Sequence, residues 1–111
     1  MQDFQDEDAI RRVLSDPGNV DRAAGLLKAL GHPARIRIVA TLCCRGELAV
    51  GDLVEALGLP QAALSQQLTV LRLNGVVTAR KAGGFRFYSL ALPHAAQMLR
   101  CIATCPMVAG S

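Results

Sequence analysis

The hydrophobic positions along the chain predict mostly helices, followed by one β-hairpin and a last helix. Apolar residues recur every three to four positions in the helical segments and alternate in the strands. Asn19 is the expected N-cap after a break at residues 16–18, and Pro33 lies in the first turn of its helix. The predicted elements are a polar helix within residues 1–15, helices over 19–30, 33–45, 50–57 and 61–74, strands over 76–80 and 85–90, and a helix that Pro93 opens and Pro106 ends.

Residues 57–71 carry the clearest functional pattern, with the sequence LGLPQAALSQQLTVL. Gly58 ends one short amphipathic segment and Pro60 opens the next. One face of the second segment is apolar, formed by Leu64, Leu68 and Leu71. The opposite face carries uncharged side chains that hydrogen-bond to base edges, namely Gln61, Ser65, Gln66 and Thr69. Two short helices joined by a glycine turn predict a DNA-binding helix-turn-helix, with an ordinary helical hairpin as the alternative.

The order of the elements is that of a winged helix-turn-helix, which is a mainly α fold with a small β-hairpin (α+β). The hairpin is then the wing, with residues 81–84 as its turn. Its three bases, Arg80, Lys81 and Arg86, are expected to reach phosphates or a minor groove, and a solvated hairpin surface is the alternative. The expected organisation is a polar extension over residues 1–18, a winged-helix DNA-binding domain over 19–106 and a tail over 107–111.

The length and composition favour one domain that needs a partner subunit. The chain has 111 residues, of which 51% are hydrophobic, and a lone domain of this size buries only about two-thirds of its unfolded surface. No apolar run approaches the roughly 18 residues of a membrane span. We therefore attribute the high share of hydrophobic residues to a core and a dimer interface. The acidic N-terminal segment lacks the basic and then apolar regions of a signal peptide, and we expect a cytoplasmic protein.

The charge is distributed unevenly along the chain. All nine acidic residues lie at or before Glu55, together with seven bases. Residues 56–111 contain five bases and no acid, namely Arg72, Arg80, Lys81, Arg86 and Arg100. Because phosphate neutralisation supplies much of the affinity for DNA, an acid-free segment around the predicted helix-turn-helix supports DNA binding.

Four short motifs, in this order and spacing, resemble the ArsR/SmtB family of bacterial repressors over about residues 19–100. They are ALGHPARI at 29–36, ELAVGDL at 47–53, LSQQL at 64–68 and GVV at 75–77. The resemblance implies a homodimer joined through its first and last helices, which binds an imperfect inverted repeat in promoter DNA and is released by an effector. Gln61, Ser65 and Gln66 match the base-reading positions of the family, whereas Ala62 at another such position offers no polar group.

The usual metal sites of the family are missing. Many metal-sensing members carry two cysteines in the segment that reads ELAVGDL here, where Ala49 and Gly51 stand instead. Other members bind zinc through carboxylates and histidines on the last helix, but here no acid follows Glu55 and His94 stands alone. We expect His94 to be a surface residue and His32, before Pro33, to be structural.

Four cysteines remain as candidate sensors, namely Cys43, Cys44, Cys101 and Cys105. In a cytoplasmic protein they are expected as free thiols, metal ligands or redox groups, with inert buried side chains as the alternative. Cys101 and Cys105 are spaced i, i+4, so one helix would place them on one face, about 5–6 Å apart. No cofactor is implied with certainty.

Two chemistries fit these thiols. One is a sulfur or redox switch, in which one cysteine attacks a persulfide or oxidant and a second resolves it. The reactive-sulfur sensors of the family share LSQQL, although their two cysteines would fall at Ala40 and near Met107. The other is capture of a soft ion such as arsenite, antimonite or cadmium by three thiolates, from Cys101, Cys105 and one of Cys43 or Cys44. The shared motif favours the sulfur or redox switch.

Two further classes of function are compatible with a chain of this size. An enzyme such as a thiol oxidoreductase is disfavoured because the chain has no Cys-x-x-Cys, no Ser/His/Asp set and no glycine-rich phosphate loop. A winged-helix module that binds proteins rather than DNA is the more credible alternative. Such a module would show no salt-dependent binding to DNA.

Overall fold

The computed structural model describes residues 7–91 and 95–109 and confirms a mainly helical fold with a small antiparallel sheet. Its elements are α1 (Glu7–Ser15), α2 (Pro17–Leu30), α3 (Pro33–Arg45), β1 (Leu48–Ala49), α4 (Val50–Leu57), α5 (Gln61–Leu73), β2 (Val77–Ala82), β3 (Phe85–Leu90), α6 (Ala95–Ala103) and α7 (Pro106–Ala109). Residues 1–6 of the predicted first helix, the helix start at Pro93, and His94 lie outside the described residues.

Proline and a polar cap begin both α2 and α3. The predicted N-cap at Asn19 is wrong, because α2 begins at Pro17 and the Asp16 carboxylate accepts the Gly18 N–H at 2.9 Å. Proline fits this first turn, since its fixed φ is helical and its missing N–H would have no partner there. At α3, Nδ1 of His32 accepts the Ala34 N–H at 3.1 Å. His32 therefore has the structural role that was predicted.

The three strands are ordered β1–β3–β2, all antiparallel. The predicted four-residue turn is wrong, because Lys81 and Ala82 belong to β2 and only Gly83 and Gly84 form the turn. Both glycines have positive φ, 57° and 80°, which a two-residue turn that follows the twist of the strands requires. The two-residue β1 was not predicted, since it is defined only by its pairing with β3.

The core lies where α3, α4 and α5 meet the sheet. Its fully buried side chains come from these three helices and from the residue just before β2, namely Ile38, Val39, Leu42, Leu53, Leu64, Leu68, Leu71 and Val76. Ala95 of α6 and Ala29 and Leu30 of α2 complete the core at its sides. The last turns of α2 and the face of α5 are therefore held in one apolar cluster.

The C-terminal end differs from the prediction. The helix α6 ends at Ala103, and Pro106 begins the short helix α7 instead of only ending its predecessor. A residue before proline is pushed out of the helical region, so Cys105 lies between the two helices. The predicted placement of Cys101 and Cys105 on one helix face is therefore wrong.

Candidate nucleic-acid interface

The helices α4 and α5 form a helix-turn-helix around Gly58. This glycine has φ 68°, in the left-handed region, and its N–H donates to the Val54 carbonyl at 2.8 Å to close α4. The guanidinium of Arg37 donates to the Leu57 carbonyl at 3.2 Å. Pro60 then precedes α5 in an extended conformation. The turn and its neighbours thus set the angle between the two helices.

The two faces of α5 are divided as the sequence predicted. Leu64, Leu68 and Leu71 have no exposed surface. The polar side chains opposite them are all exposed, namely Gln61, Ser65, Gln66 and Thr69. The Thr69 hydroxyl donates to the Ser65 carbonyl at 3.0 Å, which leaves its lone pairs to accept from outside. This outer face offers amides and hydroxyls at the spacing of a helix that enters a major groove.

Gln67, between these two faces, is turned inward. Its side-chain oxygen accepts from the guanidinium of Arg35, on α3, at 2.9 Å. The same guanidinium donates to the carbonyl of Ala29 at the end of α2. Sequence reasoning missed this contact, because the two side chains are 32 positions apart.

Among the hairpin bases, Arg80 is already paired. Its Nε and Nη2 donate to the two carboxylate oxygens of Glu47 at 2.8 and 2.7 Å. The guanidinium also lies 5.0 Å from the ring centre of Phe87. The hydrogen bond from Arg80 lowers the pKa of the Glu47 carboxyl, and the same bond raises the pKa of Arg80. Sequence reasoning gave Arg80 a role at DNA and missed Glu47.

Three bases near the end of α5 and in the hairpin are exposed and unpaired. The side chains of Arg72, Lys81 and Arg86 make no ion pair or hydrogen bond with any residue in 7–91 or 95–109. Together with Ala79 and Arg80 they line a cavity of about 300 Å³ between α5 and the hairpin. The sequence pattern had pointed to Lys81 and Arg86 but had not assigned a contact to Arg72.

The four cysteines lie on the surface or close to it, and all are free thiols. Cys43 and Cys44 are exposed in the last turn of α3, Cys101 is exposed on α6, and Cys105 is half-buried beyond it. The first three therefore lie outside the core of the single chain, against the inert-core alternative. Within the described ranges no three His, Cys, Asp or Glu side chains are grouped to hold a metal ion. A single chain therefore does not gather the three thiolates that the soft-metal alternative needs.

Comparison with known proteins identifies the family. A family model described as "Bacterial regulatory protein, arsR family" matches residues 32–79. A biofilm growth-associated repressor from Xylella fastidiosa (strain Temecula1) is 43% identical over 84 residues, which cover 76% of this chain and 73% of the repressor. The chain belongs to the ArsR family of bacterial regulatory proteins. The predicted resemblance is thus confirmed, and this family consists of DNA-binding transcriptional regulators rather than enzymes.

Solved structures of winged-helix helix-turn-helix regulators confirm this fold. The transcriptional repressor BigR from Xylella fastidiosa has a TM-score of 0.73 at 40% identity, covering 88% of this chain and 92% of BigR. HlyU from Vibrio cholerae also has a TM-score of 0.73, at 36% identity, covering 79% of this chain and 95% of HlyU. In the part of this ArsR-family chain that the structure describes, no helix has the length and apolarity to span a membrane.

Proposed function

We propose that this ArsR-family protein is a homodimeric repressor that binds an inverted repeat in promoter DNA and is released when its thiols react with reactive sulfur or an oxidant. The observation that carries the DNA-binding part is the outer face of α5. It exposes Gln61, Ser65 and Gln66 while the opposite face is fully buried. Glutamine pairs with adenine N6 and N7, and serine bonds to either a donor or an acceptor. Arginine and lysine side chains beside α5, unpaired among the described residues, supply the phosphate contacts.

A second copy of the chain is supported by the N-terminal helix. The apolar residues Ile10, Val13 and Leu14 share one face of α1 at i, i+3 and i+4 and are all exposed, Leu14 to 70%. A surface helix normally turns such a stripe towards a core. The described residues leave much of this stripe exposed, and a symmetric partner would bury it.

The C-terminal helices present a matching surface. In α6, the buried Ala95 and the core-packed Met98 and Leu99 share a face with Ile102, which is partly exposed. Beyond it, Met107 and Val108 of α7 are exposed. The apolar face of α6 therefore continues past the core of one protomer. Both ends of the chain offer apolar surface for a dimer, which agrees with joining through the first and last helices.

The proposed release chemistry uses a thiolate as nucleophile. A cysteine thiolate takes the terminal sulfane sulfur of a polysulfide and becomes a persulfide, and the polysulfide leaves one sulfur shorter. A second cysteine thiol then attacks the protein sulfur of that persulfide, forms a disulfide and expels hydrosulfide. The electrons that reduce the sulfane sulfur come from the two thiols. Cys43 or Cys44 on α3 and Cys101 or Cys105 at α6 are the proposed pair.

The packing of α3 supports this pairing. This helix contacts both α6 and α5. A bridge between α3 and α6 would therefore displace a helix against which α5 rests, and it would change the spacing of the two α5 helices in a dimer. A bridge that favours the non-binding arrangement by a few kcal/mol is enough to empty the DNA site.

The test is fluorescence anisotropy of the reduced protein on DNA from upstream of its own gene, at about 0.15 M salt. The expected result is specific binding that polysulfide abolishes and arsenite does not affect. The matched protein control is Gln66→Ala, which should weaken specific binding but not binding to random DNA.

The other outcomes decide between the alternatives. Release by arsenite alone would replace the sulfur switch with soft-metal sensing across the dimer. Binding no tighter than to random DNA would contradict the repressor proposal and favour a protein-interaction module.

A further inference from the structure

Glu47 and Arg80 form a link across the three-stranded sheet. Arg80 on β2 is the cross-strand partner of Phe87 on β3, and Phe87 is the partner of Ala49 on β1. The guanidinium crosses the Phe87 ring to reach Glu47, which lies just before β1. Since β1 runs directly into α4, the link connects the hairpin to the first helix of the helix-turn-helix.

This geometry occupies Arg80. Its two hydrogen bonds to Glu47 form a bidentate fork, the strongest arrangement for an arginine and a carboxylate. To contact a phosphate with the same nitrogens, Arg80 would have to give up both bonds and its place over Phe87. The guanidinium is thus held as part of the scaffold, although Arg80 lies among the basic residues of the hairpin.

The remaining cations converge at the junction between α5 and the hairpin. Arg72 lies in the last turn of α5 and is exposed. Lys81 and Arg86 are cross-strand partners in the hairpin. All three line the same cavity of about 300 Å³, and their charges have no counter-ion among the described residues. Clustered unpaired cations on one surface attract a polyanion.

We propose that Arg72, Lys81 and Arg86 bind a phosphodiester of the DNA backbone at this junction, and that Arg80 is a positioning residue that Glu47 keeps out of the contact. This inference rests on the proposed DNA-binding function and assigns separate roles to the four cations. Arg72 is the residue it adds to the interface, and Arg80 is the residue it removes.

The salt dependence of DNA binding separates a phosphate contact from a scaffold role. Each lost contact reduces the slope of log K against log salt by about 0.9, hence by about 1.8 in a dimer. We expect this reduction for Arg72→Gln and for Arg86→Gln. Arg80→Gln should leave the slope unchanged and weaken binding by less than about fivefold. The matched control is Arg45→Gln at the end of α3, which should leave the slope unchanged. Arg45 is exposed, and its side chain has no partner within residues 7–91 and 95–109.

A charge swap keeps the test independent of folding defects. In the double variant Glu47→Arg/Arg80→Glu the ion pair can re-form in reverse, so DNA affinity should return to within about threefold of wild type. If residue 80 instead contacts a phosphate, the double variant should bind DNA as weakly as Arg80→Glu alone.

The outcomes separate this inference from the function on which it rests. Wild-type protein that binds DNA without salt dependence would overturn both. Suppose the wild-type protein binds DNA with salt dependence, but the salt slope falls in Arg80→Gln or stays unchanged in Arg72→Gln. Either result would overturn the division of roles and leave the DNA-binding function standing.

Discussion

Arg35 and Gln67 join α3 to α5 by a hydrogen bond of 2.9 Å between guanidinium Nη1 and amide Oε1. Through Nε, Arg35 also bonds to the Ala29 carbonyl at 2.5 Å, one residue from the end of α2. One side chain therefore fixes the orientation of the proposed DNA-reading helix relative to two other helices. Gln67 is thereby a positioning residue, whereas its neighbour Gln66 faces outward.

We predict that Arg35→Ala lowers the free energy of unfolding by about 2 kcal/mol, because it removes charged hydrogen bonds in a partly buried place. Urea denaturation measures this change. Arg45→Ala, on the same helix but exposed, should stay within about 0.5 kcal/mol of wild type. Equal effects of the two substitutions would show that Arg35 does not hold the helices together.

Leu68→Ala should destabilise the protein by about 2–5 kcal/mol, since it leaves a cavity in the centre of the core. Leu73 lies on the same helix and is 73% exposed, so Leu73→Ala serves as the matched control with a change within about 0.5 kcal/mol. Thermal unfolding followed by circular dichroism distinguishes them. A mild effect at Leu68 would contradict the assignment of this face to the core.

The Glu47 carboxyl carries a predictable pH dependence. The hydrogen bond from Arg80 lowers its pKa in the folded state below the ordinary 4.5, so the stabilisation is present above that value and is lost as the pH falls through the folded pKa. Glu47→Gln should therefore lower Tm at neutral pH, and the difference from wild type should shrink in acid. A Tm difference between Glu47→Gln and wild type that stays about the same from pH 7 to pH 3 would contradict this linkage.

Leu14→Glu and Ile102→Glu should each shift the protein from dimer to monomer, because each places a charge in the apolar surface that the proposed dimer buries. Sedimentation equilibrium measures the change. Leu73→Glu is the control, since Leu73 is as exposed as Leu14 but lies outside the proposed interface. A wild-type monomer, or an unchanged dimer in both variants, would refute the proposed mode of association.

Cys105→Ser should leave DNA binding intact and blunt its release by polysulfide, since Cys105 is proposed to pair with a cysteine of α3. Anisotropy with increasing polysulfide measures the response, and Cys101→Ser tests which C-terminal thiol is used. Normal release in Cys105→Ser, with loss of release in Cys101→Ser, would move the role to Cys101. Normal release in both would refute a switch at α6.

The local elements of the fold were predictable because their signals are local. The Leu64 periodicity identified the buried face of α5, and Pro33 and Gly58 marked a helix start and a helix end as the structure has them. Errors arose where two local signals compete. Asn19 and Asp16 are both good N-caps, and only the position of Pro17 selects Asp16. Likewise, the i, i+4 spacing of Cys101 and Cys105 was outweighed by Pro106, which ends the helical conformation before it.

By itself, the sequence determined the family, the mainly helical fold, and the division of α5 into a buried and an outward face. These follow from periodicity and from short motifs, which act within a few residues. Only the tertiary structure decided that Arg80 pairs with Glu47, that Gln67 is anchored by Arg35, and that Arg72 joins the hairpin bases. The two hydrogen-bonded pairs join residues 32 and 33 positions apart, and the place of Arg72 beside the hairpin depends on the packing of α5 against β2. All of these arrangements form only after the core has brought helices and strands together.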